Sequence, residues 1–189
     1  MKLLKIAALV AAMGMGAAQA EQVQFTSVTG TAGVTDAFRA ADGNYPALGQ
    51  TWFIDTAFWE GQSDSVTFTF LHPYQITGFK ASLDNNDDYV IELSTNGSTW
   101  TRYFTVFAED YGDPLAMVDG GMDTFEPPVA GKTDYFSYAR VRARAGDCCS
   151  SVGELTLYGT TAPVPEPETL ALMVGGIAAL GLKLRRRAR

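Results

Sequence analysis

Val66, Phe68 and Phe70 alternate with Ser65, Thr67 and Thr69, and this two-residue period restricts what the chain can become. Successive side chains of a strand point to opposite faces, so the pattern describes a strand with one face in a core and one face wet. Phe79, Ala81 and Leu83 repeat it, and Tyr89, Ile91 and Leu93 alternate with Val90, Glu92 and Ser94. Trp100 to Phe107 is a further β-rich run. Val141 and Ala143 alternate with Arg140, Arg142 and Arg144, and Leu155 and Leu157 with Glu154, Thr156 and Tyr158. Asn96-Gly97 lies between two of these runs and is a strong hairpin signal. Between the chain's ends there is no long stretch with a 3.6-residue apolar period and no repeat of fixed length. The expectation is an all-β domain, a β-sandwich or jelly roll of short strands joined by Gly, Asn and Asp turns.

The two ends have a different character. Lys2 and Lys5 precede an apolar run from Ile6 to Ala18, and Ala18-Gln19-Ala20 has the small-x-small form of a signal-peptidase site. Residues 1–20 therefore read as a secretory signal peptide, and the mature chain is expected to begin at Glu21. At the other end Val164-Pro165-Glu166-Pro167-Glu168-Thr169 leads into the apolar run Leu170 to Leu182 and then Lys183-Leu184-Arg185-Arg186-Arg187-Ala188-Arg189. Thirteen residues span roughly 20 Å as a helix, against about 30 Å for a bilayer core. Lys183 and the arginines can snorkel to headgroups and extend that reach, which puts a membrane helix at 170–184 and a basic cytoplasmic tail at 185–189. A plain tail anchor is one reading.

Pro165-Glu166-Pro167, the greasy segment and the cluster Arg185, Arg186, Arg187 together resemble the PEP-CTERM sorting signal of exopolysaccharide-producing Gram-negative bacteria. The resemblance implies transient anchoring in the inner membrane, processing by an exosortase-type enzyme, and delivery to the cell surface or extracellular matrix.

The remaining domain, residues 21–160 with a Pro-rich linker at 161–169, is long enough for one core. Between Glu21 and Pro163 there are seven basic and nineteen acidic residues, a balance near −12. Such a domain repels nucleic acid and anionic membrane, so no nucleic-acid partner is expected.

Four segments carry a second resemblance. Ala41-Asp42-Gly43-Asn44 with Thr51-Trp52, Asp88 to Trp100, Ala139-Arg140-Val141-Arg142, and Gly153-Glu154-Leu155-Thr156-Leu157-Tyr158-Gly159 are similar, in that order, to motifs of the discoidin or coagulation factor 5/8 type C family. This implies a galactose-binding-like jelly roll that binds carbohydrate or exopolysaccharide and is not catalytic. It also implies a structural calcium held by Asp42, Asn44, Thr51 and Glu154, hard oxygen donors of the kind calcium takes. The insert Tyr45 to Gln50 departs from the family pattern, and Asp42-Gly43-Asn44 also reads as an ordinary turn.

Asp84-Asn85-Asn86-Asp87-Asp88 lacks EF-hand spacing and reads as a solvated turn, or as a glycan-contacting loop in which Asp87 would meet the ligand. Most aromatic rings belong to the core, but Trp59 and Tyr111 stand among polar residues and are the candidate sugar-stacking rings. Arg140, Arg142 and Arg144 share one strand face and are expected to pair with carboxylates across the sheet. Cys148-Cys149 is the only cysteine pair, and the possibilities are a vicinal disulfide, intermolecular bonds or free thiols. With His72 as the only histidine, histidine-based triads and zinc sites have no support, and no carboxylate pair is singled out. The expectation is a binding protein rather than an enzyme, with a structural or adhesive biofilm-matrix protein as the alternative.

Overall fold

The computed structural model describes residues 19–111, 121–146 and 148–162, together with Gly176. The sorting residues Pro165, Glu166, Pro167, Arg185, Arg186 and Arg187 lie outside the described residues. So do most of the signal peptide and, apart from Gly176, the membrane helix expected at 170–184. Among the described residues no helix is long and apolar enough to cross a membrane.

The described chain is an antiparallel jelly roll. Its strands are β1 (Glu21–Gln22), β2 (Phe25–Gly30), β3 (Ala57–Glu60), β4 (Ser65–Asp84), β5 (Asp88–Ser94), β6 (Thr101–Val106), β7 (Met122–Phe125), β8 (Phe136–Ala145) and β9 (Cys149–Thr161). The runs at 65–70 and 79–83, separate in the sequence pattern, are halves of one strand. The first half of β4 pairs with β2 and β8, and the second half with β9 and β7. The change of partners falls at Leu71-His72-Pro73, where the register to β8 shifts between Thr69 and Tyr74. Proline cannot donate to a ladder, so a bend at which one ladder ends suits it. Leu71 N–H donates instead to Gln24 O (2.8 Å).

Two sheets follow from this switch. One runs β2-β4-β8-β5-β6, and the other places β9 beside the second half of β4, with β7 on its far side and β1 and β3 along the outer edge of β9. Val66, Phe68, Ile91, Leu93, Ala139 and Val141 of the first sheet and Phe79, Leu83, Val152, Leu155 and Leu157 of the second are buried in a single core. Each of these apart from Ala139 contributes about 1.5–3 kcal/mol by leaving water. Rings bridge the layers: Phe79 on β4 meets Phe104 on β6 at 5.3 Å, and Trp59 on β3 meets Tyr89 on β5 edge-on at 6.5 Å.

The solvent side of β5 departs from simple alternation. Val90, Glu92 and Ser94 are as buried as their core-facing neighbours. The arginines of β8 cover them, with Arg140 Nη2 donating to Glu92 Oε2 (2.6 Å), Arg142 Nε to the same oxygen (3.3 Å) and Arg144 Nη1 to Asp88 Oδ2 (3.0 Å). The Arg140 guanidinium also lies 4.3 Å from the centre of the Trp100 ring. The expected cross-strand pairs are therefore present, and they form a lid over β5. The hairpin at Asn96-Gly97 is a wider loop in which Asn96 Oδ1 accepts from Ser98 and Thr99 N–H (both 2.9 Å) and Gly97 has φ 73°.

Trp59 is not the exposed ring its polar surroundings suggest. It lies on β3 and is 1% exposed, because the strand's alternation turns Ala57 and Trp59 inward. Trp59→Ala should lower the unfolding free energy by about 3–5 kcal/mol, the usual cost of emptying a large aromatic site. Chemical denaturation of the full chain checks this.

Candidate functional site

Two concave regions flank the outer edge of β9. The first is a cavity of about 600 Å³ lined by Gln22, Val23, Gln24, Phe25, Ala41, Asp42, Gly43 and Glu154. The 3-10 turn Ala37–Ala41 delivers Asp42-Gly43 to it, and β9 delivers Glu154. Gly43 takes φ 86°, a left-handed conformation that glycine adopts without penalty. Its N–H donates to Glu154 Oε2 (3.0 Å), while Asp42 Oδ1 accepts from Asn44 N–H (2.9 Å) and Asp42 Oδ2 faces Arg39 Nη1 at 3.5 Å. Burial pushes the Glu154 carboxyl up to about 7. The Gly43 and Asp42 N–H bonds oppose that rise, and the Asp42 charge adds to it. Tyr45 closes the neighbourhood, its O–H donating to Thr156 Oγ1 (2.7 Å) and its ring lying 4.4 Å from Lys80 Nζ.

Of the four expected calcium ligands, the fold brings Asp42 and Glu154 to one cavity. Asn44 and Thr51 are exposed and are not part of its lining. Two carboxylates suit a hard cation but supply only part of the six to eight oxygens calcium takes. No group of three Asp, Glu, His or Cys side chains suited to a metal occurs among the described residues.

The second region is a cleft of about 280 Å³ lined by Gly33, Thr35, Trp52, Phe58, Trp59 and Glu60. Thr35 and Phe58 are locked by reciprocal backbone bonds (2.8 and 3.1 Å), and Trp52 stands edge-on to Phe58 at 5.6 Å. Glu60 is exposed at the end of β3, opposite Cys149 in register. Cys148 and Cys149 are joined as a vicinal disulfide, with Cys148 O accepting from Gly61 N–H (2.8 Å). Asp64 lies beside Gly33, whose N–H donates to its carboxylate (3.3 Å), and Thr31 Oγ1 donates to the same group. Trp59 Nε1 is buried and has no hydrogen-bond partner among the described residues.

The other candidate contacts are placed differently. The turn 84–88 is not solvated: Asp84, Asn85 and Asp87 are buried. Asn85 N–H donates to Gly121 O (2.9 Å) and Gly121 N–H to Asn85 Oδ1 (3.1 Å), so the turn is fastened to the start of β7. Asp87 Oδ2 accepts from Tyr89 O–H (3.4 Å), and Tyr89 Oη accepts from Ser151 N–H (2.8 Å). Gly146, at φ 138°, makes room for this carboxylate, since a Cβ there would lie 1.5 Å from Asp87 Oδ1. Asp87 is thus part of the interior and not a surface contact. Tyr111 ends the 3-10 turn Ala108–Tyr111, and residues 112–120 that follow it lie outside the described ones. Sequence reasoning passed over Phe58 and Glu60, the outward residues of β3. Strand alternation through Ala57–Glu60, once recognised, would have selected them instead of Trp59.

Comparison with known proteins agrees at both levels. Residues 163–187 match the PEP-CTERM protein-sorting motif. No curated protein is similar to the chain in sequence. The fold is that of CBM32 and discoidin-like galactose-binding domains. The CBM32 of AlyQ, solved with 4,5-unsaturated mannuronic acid, superposes with a TM-score of 0.52 at 14% identity, covering 72% of this chain and 97% of that one. A fucolectin from the serum of the striped bass, Morone saxatilis, gives a TM-score of 0.52 at 17% identity, covering 74% of this chain and 48% of the other. An antiparallel jelly roll, similar in fold to these domains, followed by a sorting motif, is what this chain contains.

Two outcomes are expected. A carboxyl whose folded value is raised above its unfolded value binds protons more tightly when folded, so Glu154 favours the fold below pH 4.5 and loses that contribution as pH rises through about 7. Relative to Glu154→Gln, the wild-type chain should therefore lose stability by up to about 1 kcal/mol per pH unit between pH 5 and 7. Parallel thermal melts across that range check the slope. For the cysteines, alkylation under non-reducing conditions should leave the intact mass unchanged, and alkylation after reduction should add two adducts.

Proposed function

We propose that this chain is an exported, non-catalytic carbohydrate-binding protein, delivered by its sorting tail and recognising glycan through the edge of its jelly roll. The observation that carries the reading is the cleft at Trp52, Phe58 and Glu60, on a fold shared with carbohydrate-binding modules. Half-buried aromatic rings beside polar groups are the usual means of holding a sugar: the ring takes the apolar C–H face, and the polar groups fix its orientation. The sorting motif supports processing by an exosortase-type enzyme after transient attachment to the inner membrane, and then residence at the surface or in an exopolysaccharide matrix. Calcium belongs to the same proposal. Asp42 and Glu154 would hold it, and the ion would fix the loop that leads from Asp42 toward Trp52 by supplying positive charge to two neighbouring carboxylates.

A structural or adhesive matrix role without a sugar pocket is the second reading. Leu48, Phe53 and Ile54, all exposed, favour it as surface for apolar association.

Retention of the full chain, in mild detergent, on immobilised polysaccharides separates the two. Retention on a subset, released by free sugar, is expected, and it should weaken in chelator if calcium holds the loop. Retention that no free sugar releases, or none at all, would favour the matrix reading.

A further inference from the structure

We propose that the cleft at Trp52, Phe58 and Glu60 takes a sugar bearing a free ammonium group, so that the glycan recognised is an amino-sugar polymer at least partly lacking N-acetyl groups. This rests on the carbohydrate-binding reading and goes further by naming the chemical class of the ligand.

The argument is electrostatic and local. The lining residues come from positions 33–60, and from Glu21 to Phe79 the only Lys or Arg is Arg39. Arg39 is occupied, with its Nη1 3.5 Å from Asp42 and 3.3 Å from Asp55. Glu60 is exposed at the rim, and Asp64 adds a second carboxylate beside Gly33. The cations of β8 are engaged elsewhere, on Glu92 and Asp88. A uronate brought to this cleft would meet carboxylates with no Lys or Arg in the described lining to answer them, in a domain whose overall balance is near −12. An ammonium would meet the aromatic residues Trp52 and Phe58, a ring type whose faces attract cations through the ring quadrupole, and a carboxylate that can accept a charge-assisted hydrogen bond. The uronate bound by the structurally similar CBM32 of AlyQ belongs to the opposite charge class, so the shared fold does not supply this assignment.

The test is calorimetric titration of the full chain in mild detergent with three oligosaccharides of equal length: glucosamine, N-acetylglucosamine and mannuronate. Glucosamine oligomers should bind about tenfold or more tighter than the acetylated ones, and added salt should erode the difference. Glu60→Gln should abolish the preference. Glu109→Gln, an exposed acid beyond β6 that is not part of the cleft's lining, should leave it intact. Trp52→Ala should weaken all sugar binding, and Glu60→Gln keeps the test valid should that variant fail to fold. Equal or tighter binding of the acetylated or uronate oligomer would overturn the ammonium assignment and leave the carbohydrate-binding reading standing. So would a preference that survives Glu60→Gln, which would reduce it to bulk charge. If none of the three binds and no other polysaccharide retains the chain, both proposals fall.

Discussion

The structure depends on one strand serving two sheets. β4 crosses from partnership with β2 and β8 to partnership with β9 and β7, and the two layers of the sandwich are held together by that continuous backbone. Its inward side chains, from Val66 through Phe68 and Phe70 to Phe79 and Leu83, run along both halves of the core. The switch needs a place where one ladder ends without stranding a buried donor. Leu71-His72-Pro73 provides it, exposed and with one N–H already missing. Once β4 is set, β9 is fixed along its second half, and both concave regions follow from what borders β9.

The acidic balance is managed by position. Carboxylates next to the first sheet are answered by the arginines of β8, which also seal the outer face of β5. Those of the 84–88 turn are taken inside and fastened to Gly121, Tyr89 and Ser151. Glu154 is buried, which raises its proton affinity, and backbone N–H groups hold the carboxylate against that rise. What is left for solvent and ligands around β3 is negative, and it stands next to the half-buried rings of Trp52 and Phe58. The segment that forms the cleft carries one cation, Arg39, and that cation is paired with Asp42 and Asp55.

The fold was largely legible because half-buried strands write a two-residue period, and Val66 to Phe70, Leu155 to Leu157 and the β8 arginines all follow it. Short edge strands carry too few residues to show a period, so β1, β3 and β7 left no usable signal. That is why Trp59 was read from its polar neighbours and not from its strand face. The turn 84–88 misled for a related reason. Five consecutive polar residues suggest solvent, but their partners, Gly121 and Ser151, are distant in sequence and become neighbours only when β7 and β9 pair with β4 and β3. Asp42 and Glu154 were found together through family resemblance, because no spacing rule joins residues 112 positions apart. The tail was read from its Pro-Glu-Pro, apolar and basic segments through their resemblance to a known sorting signal, and the motif match at 163–187 agrees with that reading.

The central claim is that the outer edge of β9, through β3 and the loop before it, is where this jelly roll meets glycan. Hydrogen–deuterium exchange of the full chain, with and without the polysaccharide that retains it, tests this most directly. Slower exchange at Gly33–Thr35 and Trp52–Glu60, with the Asn96–Trp100 loop unchanged, is the predicted result. Protection confined to the Asn96–Trp100 loop or to other segments, with residues 52–60 unaffected, would contradict it.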